Sequence, residues 1–416
     1  MNTLNYKPAL IFVVLLVFAF PSCEKTNTDD SPGEPVPVEL SSTQKLIVDS
    51  DNKFGFDIFR LILENETGKE NIMISPLSIS YALAMTLNGA DGATRDSIMR
   101  TLRYYDIDID DINNSFKDIT DKLISVDKRV LMSIANSVWV EEKLAVKADF
   151  INTLEQFFAA EVRDFKVSDP GIVEVINQWI EDNTNGLIRN MIDKLPSDVA
   201  MLLVNAIYFN GKWRYEFSEE STIDRPFILE SGSEEMVPTM SQTVTVKSLI
   251  RDDYVIVELP YGQGNYVMDV ILPWGENTIT DIVSLLNSDS WSEAANDMTK
   301  REISIYMPRF KYDYKVELKH VLSAMGMGIA FDPTFADFSN ISDQGLAISR
   351  VLHQTFIDTS EEGTEAAAAT AVEMVFTSVG PSVPFIVRLD KPFLYIIRET
   401  TTNSMVFMGK TGNPAI

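Results

Sequence analysis

The residue types that perform covalent or metal chemistry are scarce in this chain of 416 residues, which has two histidines and one cysteine. A hydrolase needs a nucleophile held by a general base, and only His320 and His353 could supply an imidazole base. Neither histidine lies in a nucleophile-elbow or similar motif. A zinc site has no better support, because the histidines lack ligand spacing and Cys23 stands alone. We therefore expect no enzyme activity, no metal and no cofactor.

A different chemistry is indicated by a run of small residues towards the C-terminus. The simplest interpretation of this run is a helix, because Ala has the highest helix propensity. The β-branched residues at both ends oppose a helix, and the small side chains would gain little from packing. Read with a period of two, the run is a strand that no large side chain would obstruct between two others. It could be loop or short helix in one state and strand in another. The run is Glu361, Glu362, Gly363, Thr364, Glu365, Ala366, Ala367, Ala368, Ala369, Thr370 and Ala371.

Composition and charge restrict the class of protein. Hydrophobic residues make up 45% of the chain, which is enough for a large core and argues against disorder over most of its length. The formal net charge is −26, and we attribute this acidity to solubility. Nucleic acid is not expected as a partner, because phosphate binding needs a basic face.

The N-terminus has the pattern of an export signal. Residues 1–22 contain Lys7 and then an apolar stretch from Ala9 to Phe20, which is too short for a transmembrane helix. The segment ends in Pro21-Ser22-Cys23, which resembles a bacterial lipobox, although Phe20 departs from the usual Leu or Val. Cys23 is thus the predicted lipidation site. The alternative is an ordinary secretory signal with an incidental cysteine.

The segment that follows predicts a tether and sets the domain organisation. Residues 24–44 are rich in Pro, Ser, Thr and Asp, and cannot bury enough apolar surface to fold. We expect a signal peptide over 1–22, a flexible acidic tether over 23–45 and one folded domain over 46–416. The expected location is the bacterial cell envelope, lipid-anchored to the outer membrane and periplasmic or surface-exposed; otherwise the protein is secreted. Membrane contact is expected through the lipid anchor only.

Hydrophobic periodicity predicts helices in the first half and mostly strands in the second. This order favours an α+β fold. The predicted helices are Asp51–Leu63, Pro76–Leu87, Asp91–Leu102, Ile112–Ser125, Asp149–Glu161, Gly171–Asn183 and Leu318–Met325. The predicted strands are Leu131–Val140, Met201–Phe209, Tyr254–Leu259, Tyr266–Leu272, Glu302–Met307, Phe385–Leu389, Phe393–Arg398 and Met405–Lys410.

Several short segments between about residues 50 and 416 resemble segments of the serpin family, and they occur in the same order as in that family. The run at 361–371 is similar to the hinge of its inhibitory members. The other segments are Asn71–Ile79, Leu87–Thr94, Val204–Trp213, Glu258–Tyr261, Pro308–Phe310, Leu322–Met327, Ala336–Ser339, Val351–Phe356, Lys391–Tyr395 and Phe407–Lys410.

The resemblance implies a serpin fold with three β-sheets, about nine helices and an exposed reactive-centre loop at about 361–384. It places the hinge at 361–370 and the scissile bond at Thr377-Ser378, with Phe376-Thr377 as runner-up. It also implies a polar "shutter" cluster behind the strands that part, formed by Ser75, Ser78, Asn205 and His353. Trp213 maps to the "breach", where loop insertion begins.

The function implied is inhibition of serine-type endopeptidases by a suicide-substrate mechanism. The cleaved loop would insert into the main sheet and trap the protease as a covalent acyl-enzyme. Elastase-like or chymotrypsin-like enzymes are the expected targets, papain-like cysteine proteases are possible ones, and a monomer is expected. The alternative is a non-inhibitory serpin with a carrier, chaperone-like or storage role. Such members usually carry bulky, charged or proline residues in the hinge, whereas Thr364 to Ala371 is intact here.

Overall fold

The computed structural model describes residues 33–364 and 383–415 of the chain. The α-helices of these residues are α1 (Ser42–Asn65), α2 (Pro76–Gly89), α3 (Gly92–Thr101), α4 (Ile109–Ser125), α5 (Ala148–Phe158), α6 (Ile172–Asn183), α7 (Ile279–Leu285), α8 (Ser288–Asp297) and α9 (Lys319–Leu322). The strands are β1 (Asn71–Ile74), β2 (Val130–Glu141), β3 (Glu161–Phe165), β4 (Met201–Lys212), β5 (Ile223–Ile228), β6 (Glu234–Ile250), β7 (Tyr254–Pro260), β8 (Tyr266–Pro273), β9 (Thr299–Pro308), β10 (Phe310–Glu317), β11 (Leu352–Thr359), β12 (Gly363–Thr364), β13 (Phe385–Arg388), β14 (Phe393–Glu399) and β15 (Met405–Thr411).

Two hydrogen-bonded sheets organise the described residues. One is six-stranded, in the order β10-β11-β12-β4-β2-β3. The other is nine-stranded, in the order β1-β15-β14-β8-β7-β6-β9-β13, with β5 paired to β6. Strand β6 is long enough to pair with β7 at one end and with β5 at the other. It therefore joins two of the three predicted sheets into one hydrogen-bonded unit, and the helices and sheets together agree with the predicted α+β class.

The core lies between the two sheets and under the first helices. Strands β8, β14 and β15 are buried along their whole length, which is why their sequences are nearly continuous apolar runs. Helix α2 begins as its sequence predicts, because the Ser75 side chain accepts from Ser78 N and Pro76 occupies the first turn. The predicted helix and the observed one agree at this end.

Helix α6 covers the opposite face of the six-stranded sheet. Its side chains form a separate apolar cluster with alternate residues of β4, whereas the other residues of β4 face the main core. The six-stranded sheet is thus packed on both faces at β4 and β2, whereas one face of β10 is exposed. The α6 cluster includes Trp139, Phe165, Ile176, Trp179, Ile180, Val204 and Ala206.

The N-terminal part of the described chain is attached to the domain. Val36 and the fully buried Asn265 exchange two hydrogen bonds, of 2.8 and 2.7 Å. Ser41 and Gln44 then form a capping box, so α1 begins at Ser42. The predicted domain start at residue 46 therefore lies inside a helix. The stretch 23–32 of the predicted tether lies outside the described residues.

Two predicted helices are shorter than expected. The helix predicted to reach Glu161 ends at Phe158, because Ala159 adopts a left-handed conformation (φ 48°), and Glu161 instead begins β3. The helix predicted over Leu318–Met325 stops at Leu322 and continues as a π turn in which Gly326 has φ 108°. Across the described residues, no helix is long and apolar enough to cross a membrane.

Candidate functional site

The first residues of the predicted loop already lie in the six-stranded sheet. Gly363 pairs with Lys212 and Thr364 with Gly211 of β4, and Thr364 also pairs with Thr359 of β11. Within the described chain β4 and β11 form no ladder with each other, and β12 is the only strand between them. The hinge therefore occupies one end of the boundary between β4 and β11, which among the described residues are not paired with each other.

Glycine is required at position 363. Its φ is +152°, and an added Cβ would lie 2.1 Å from the carbonyl oxygen of Gly211. The strained conformation and the backbone contact both exclude a side chain here. The chain can therefore turn into the sheet only because residue 363 is glycine.

Trp213 holds the entry to this boundary. Its backbone N–H donates to the Glu362 carbonyl at 2.8 Å, and its indole Nε1 donates to the Ser360 carbonyl at 2.9 Å. The indole stacks on Tyr261 with ring centroids 4.4 Å apart. The Tyr261 hydroxyl in turn lies 2.6 Å from the Thr364 hydroxyl, and Thr364 is 4% exposed. Trp213, the predicted breach residue, is therefore connected to the buried Thr364 of the hinge through Tyr261.

Glu361 fixes the segment just before the hinge. Its side chain is buried and accepts from Arg309 Nε at 2.8 Å and from the Thr222 hydroxyl at 2.5 Å. Burial alone would raise the pKa of Glu361, but the hydrogen bonds from Arg309 and Thr222 outweigh it and hold the pKa below its usual value. Glu361 is therefore an ionised anchor. Glu362, the next residue, forms an ion pair with Lys212 at 3.6 Å.

A small cavity adjoins Thr364 in the boundary between β4 and β11. Side chains from the main-core face and from the α6 face both line it, so the cavity passes through the sheet. Its walls include Met73, Leu187, Ile188, Ile207, Tyr208, Phe209, Phe356, Thr364 and Phe407. Most of these walls are aliphatic or aromatic, and Thr184, Tyr208 and Thr364 add hydroxyl groups, so the small space suits small side chains.

The four predicted shutter residues come together on the core side of the same boundary. His353 Nε2 on β11 accepts from Ser75 N at 3.0 Å, and Ser75 Oγ caps Ser78 N. Ser78 Oγ donates to Asn205 Oδ1 on β4. The two strands are thus linked by a relay through the first turn of α2.

One member of this network was missed from the sequence. Asn205 Nδ2 donates to Asn136 Oδ1 on β2 at 2.6 Å, and Asn136 Nδ2 donates to the Phe158 carbonyl at 2.7 Å. Asn136 is 4% exposed, and it interrupts the apolar row of β2 that faces the core. That buried polar position in an apolar strand was the available signal. The cluster therefore extends across β11, β4 and β2.

The other predicted site residues lie outside the described part of the chain. They are Glu365, Ala366, Ala367, Ala368, Ala369 and Thr370 of the hinge, Phe376, Thr377 and Ser378 at the scissile bond, and Cys23 at the lipidation site. In the described part, no group of three or more His, Cys, Asp or Glu side chains could hold a metal ion.

Burial makes the shutter histidine sensitive to acid. Burial lowers the pKa of His353 from 6.5 to about 3, so the imidazole is neutral in the folded protein. The unfolded chain takes up this proton below pH 6.5 and the folded chain does not. Stability therefore falls as the pH drops from about 6.5 towards 3, by ~2 kcal/mol at pH 5.

We predict that His353→Gln loses this acid sensitivity, because the amide oxygen can still accept from Ser75 N but does not titrate. Urea unfolding at pH 7 and pH 5 measures the effect, with the exposed His320→Gln as the matched control. An unchanged pH dependence in His353→Gln would show that another group controls the acid response.

Comparison with known proteins agrees with this geometry. A family model described as Serpin (serine protease inhibitor) matches residues 49–414. A serpin-like protein of Methanosarcina acetivorans is 35% identical, covering 88% of this chain and 88% of its own length, and human Serpin B11 is 33% identical, covering 87% and 98%. The native-state crystal structure of tengpin, a thermophilic serpin, gives a TM-score of 0.82 at 29% identity, covering 92% and 98%. Human thyroxine-binding globulin in complex with its ligand gives 0.83 at 27% identity, covering 90% and 100%. The chain belongs to the serpin family.

Proposed function

We propose that this serpin inhibits serine endopeptidases as a suicide substrate. The single observation that carries the proposal is the position of Gly363–Thr364, which enter the sheet between β11 and β4 next to a small cavity. The hinge sequence that follows has the small residues that such a cavity accepts. This combination supports insertion of the loop as a new strand.

The chemical step comes from the protease. Its serine oxygen attacks the Thr377 carbonyl carbon, the Thr377–Ser378 peptide bond breaks, and the new amine of Ser378 leaves. The ester at Thr377 joins the two proteins. Insertion of about 14 residues at ~3.3 Å each would carry the enzyme roughly 45 Å. Distortion of its oxyanion donors then stalls deacylation, since one lost donor alone costs ~10²–10³ in rate.

The register of β12 predicts where the inserted residues would lie. Thr364 opposes Gly211 of β4 and Thr359 of β11 in antiparallel register. Continuing both ladders places Thr370 between Asn205 and His353. Thr364, Ala366, Ala368 and Thr370 would then face the core. Thr370 would thus reach the shutter cluster, where its hydroxyl can form hydrogen bonds. Ala366 and Ala368 would lie in the space between Thr364 and that cluster.

Target class follows from the proposed scissile bond. Thr377 is small and uncharged, so trypsin-like enzymes with an acidic pocket gain nothing from it. We propose elastase-like enzymes as the main targets and chymotrypsin-like or papain-like enzymes in the Phe376 register. Because human thyroxine-binding globulin is a structural neighbour, a carrier role is the alternative. A covalent complex on a denaturing gel distinguishes the two functions.

We predict that Thr364→Arg is cleaved like the wild type but forms little covalent complex. The side chain at 364 is buried against Tyr261, and an unpaired buried charge costs several kcal/mol. Insertion slows, so hydrolysis finishes first and the covalent complex falls by tenfold or more, at ~1.4 kcal/mol per tenfold. Gel densitometry at a fixed inhibitor-to-protease ratio measures it. Thr334→Arg, on an exposed turn, is the matched control. Equal complex yields for the two variants would rule out insertion from this hinge.

We also propose that the protein is anchored to the bacterial outer membrane through a lipid on Cys23. Two or more acyl chains exceed what stable anchoring requires. We predict that Cys23→Ala gives a soluble or retained precursor without the lipid, whereas Ser31→Ala is lipidated and stays in the membrane fraction. Cell fractionation with mass analysis of the mature N-terminus is the measurement. Wild-type protein that is wholly soluble and cleaved elsewhere would support the ordinary secretory signal instead.

A further inference from the structure

Two arginines stack on one tyrosine on the outer side of the nine-stranded sheet. The guanidinium carbon of Arg388 on β13 lies 5.2 Å from the centre of the Tyr306 ring on β9, and that of Arg225 on β5 lies 4.8 Å from it. Arg388 and Tyr306 are direct cross-strand partners. The aromatic ring therefore faces two cations, and each is attracted by the negative charge of the ring face.

Neither guanidinium is neutralised within the described residues. Arg225 and Arg388 form no ion pair there, although the chain has a net charge of −26. Arg225 Nε is also buried without a hydrogen-bond acceptor in this part of the structure. Arg309 and Arg398, by contrast, each hold a buried carboxylate. An unpaired buried donor carries a free-energy penalty.

The two described ends of the reactive loop flank this surface. Strand β13 begins two residues after Val383, where the description of the chain resumes. On the other side, Glu361 accepts from Thr222, which directly precedes β5. Ser221 accepts from the Ser241 hydroxyl of β6. A protein that engages the loop therefore has this surface next to it.

The remaining side chains of the surface are those of an interface. Ile386 on β13 is 42% exposed. The hydroxyls of Ser304 on β9 and Thr243 on β6 lie 2.7 Å apart beside it. Tyr and Arg are the residues that most often dominate binding energy at interfaces. We call Arg225, Tyr306, Ile386 and Arg388 the arginine face.

We propose that the arginine face binds a carboxylate-bearing surface of the target protease while the loop occupies the protease active site. The inference rests on the proposed inhibitor function and extends it to partner selection. Guanidinium groups bind carboxylates in a bidentate manner, and two of them beside one ring can hold an acidic segment. Charges of this kind act chiefly on the association rate, which they can raise by ten to a thousand times.

The test uses the full-length protein with Arg225→Gln and Arg388→Gln, separately and together. The control is Arg163→Gln, because Arg163 also stacks on an aromatic ring, 5.3 Å from Trp139, but is paired with Glu161 on the other sheet. Association rate constants are measured with each protease that forms a complex, at low and high salt. Binding of a fluorescein-labelled hexaglutamate peptide at low salt provides a readout that needs no protease.

The proposal predicts that the double variant associates about tenfold more slowly, with a weaker salt dependence and an unchanged stoichiometry of inhibition. It also predicts that the double variant loses hexaglutamate binding, while Arg163→Gln keeps both properties. Unchanged association rates in the double variant would overturn it. Loss of heparin binding in the double variant, with protease association unchanged, would also overturn the proposal. The occupant of the arginine face would then be a sulfated glycan.

Failure of the two proposals can be told apart. If no protease in the panel forms a covalent complex, the inhibitor function fails and the arginine face loses its proposed occupant, whatever the peptide shows. If complexes form but wild-type protein does not bind hexaglutamate and the variants associate normally, only the arginine-face proposal fails.

Discussion

Among the described residues β4 and β11 form no ladder with each other, and this is the constraint on which the proposed function depends. Backbone N–H and C=O groups that face each other across an interior boundary must be satisfied, and a short strand can satisfy only one end. Here Gly363 and Thr364 do so at the Trp213 end, and a small cavity follows. The proposed function uses this boundary as the position of a further strand. On that proposal the inserted state is the more stable one, and the rate of opening decides when it forms.

Two groups of contacts hold the boundary between β4 and β11, one at its entry and one in its middle. At the entry, Trp213 and Tyr261 pack against the hinge, and Glu361 ties the preceding segment to Arg309 and Thr222. In the middle, the relay from His353 through α2 to Asn205 links the two strands without pairing them directly. A relay of side-chain hydrogen bonds can exchange partners when a new strand arrives, whereas a backbone ladder would first have to break. In the proposed mechanism, the polar cluster would thus permit opening while it keeps the closed sheet specific.

Much of this could be predicted from the sequence, and the exceptions have identifiable causes. Buried strands such as β4 and β14 are long apolar runs, and α2 carries its cap and proline in the sequence. The strand β10 was missed although Phe310, Tyr312, Tyr314 and Val316 alternate with polar residues, which is the standard signal. Strand β6 was recognised only as a strand-rich region, since its exposed stretches contain few apolar residues.

Some features of the candidate site could likewise be predicted from the sequence, and others could not. The family motifs brought Ser75, Ser78, Asn205 and His353 to one cluster, but the order of hydrogen bonds depends on three-dimensional contacts that spacing does not encode. Asn136 could have been found as a polar residue in a core-facing row. The Arg225–Tyr306 contact could not, because it depends on how β5, β6 and β9 are arranged in the sheet.

The central claim is that the loop becomes a strand between β4 and β11. Hydrogen exchange of these two strands, measured by mass spectrometry before and after a single cut in residues 365–382, tests it most directly. The account predicts that the amides of Leu203–Asn210 and His353–Asp358 exchange far more slowly after the cut, because the new strand pairs with both edges and raises the free energy of opening. Exchange that stays the same or becomes faster in both strands would contradict insertion.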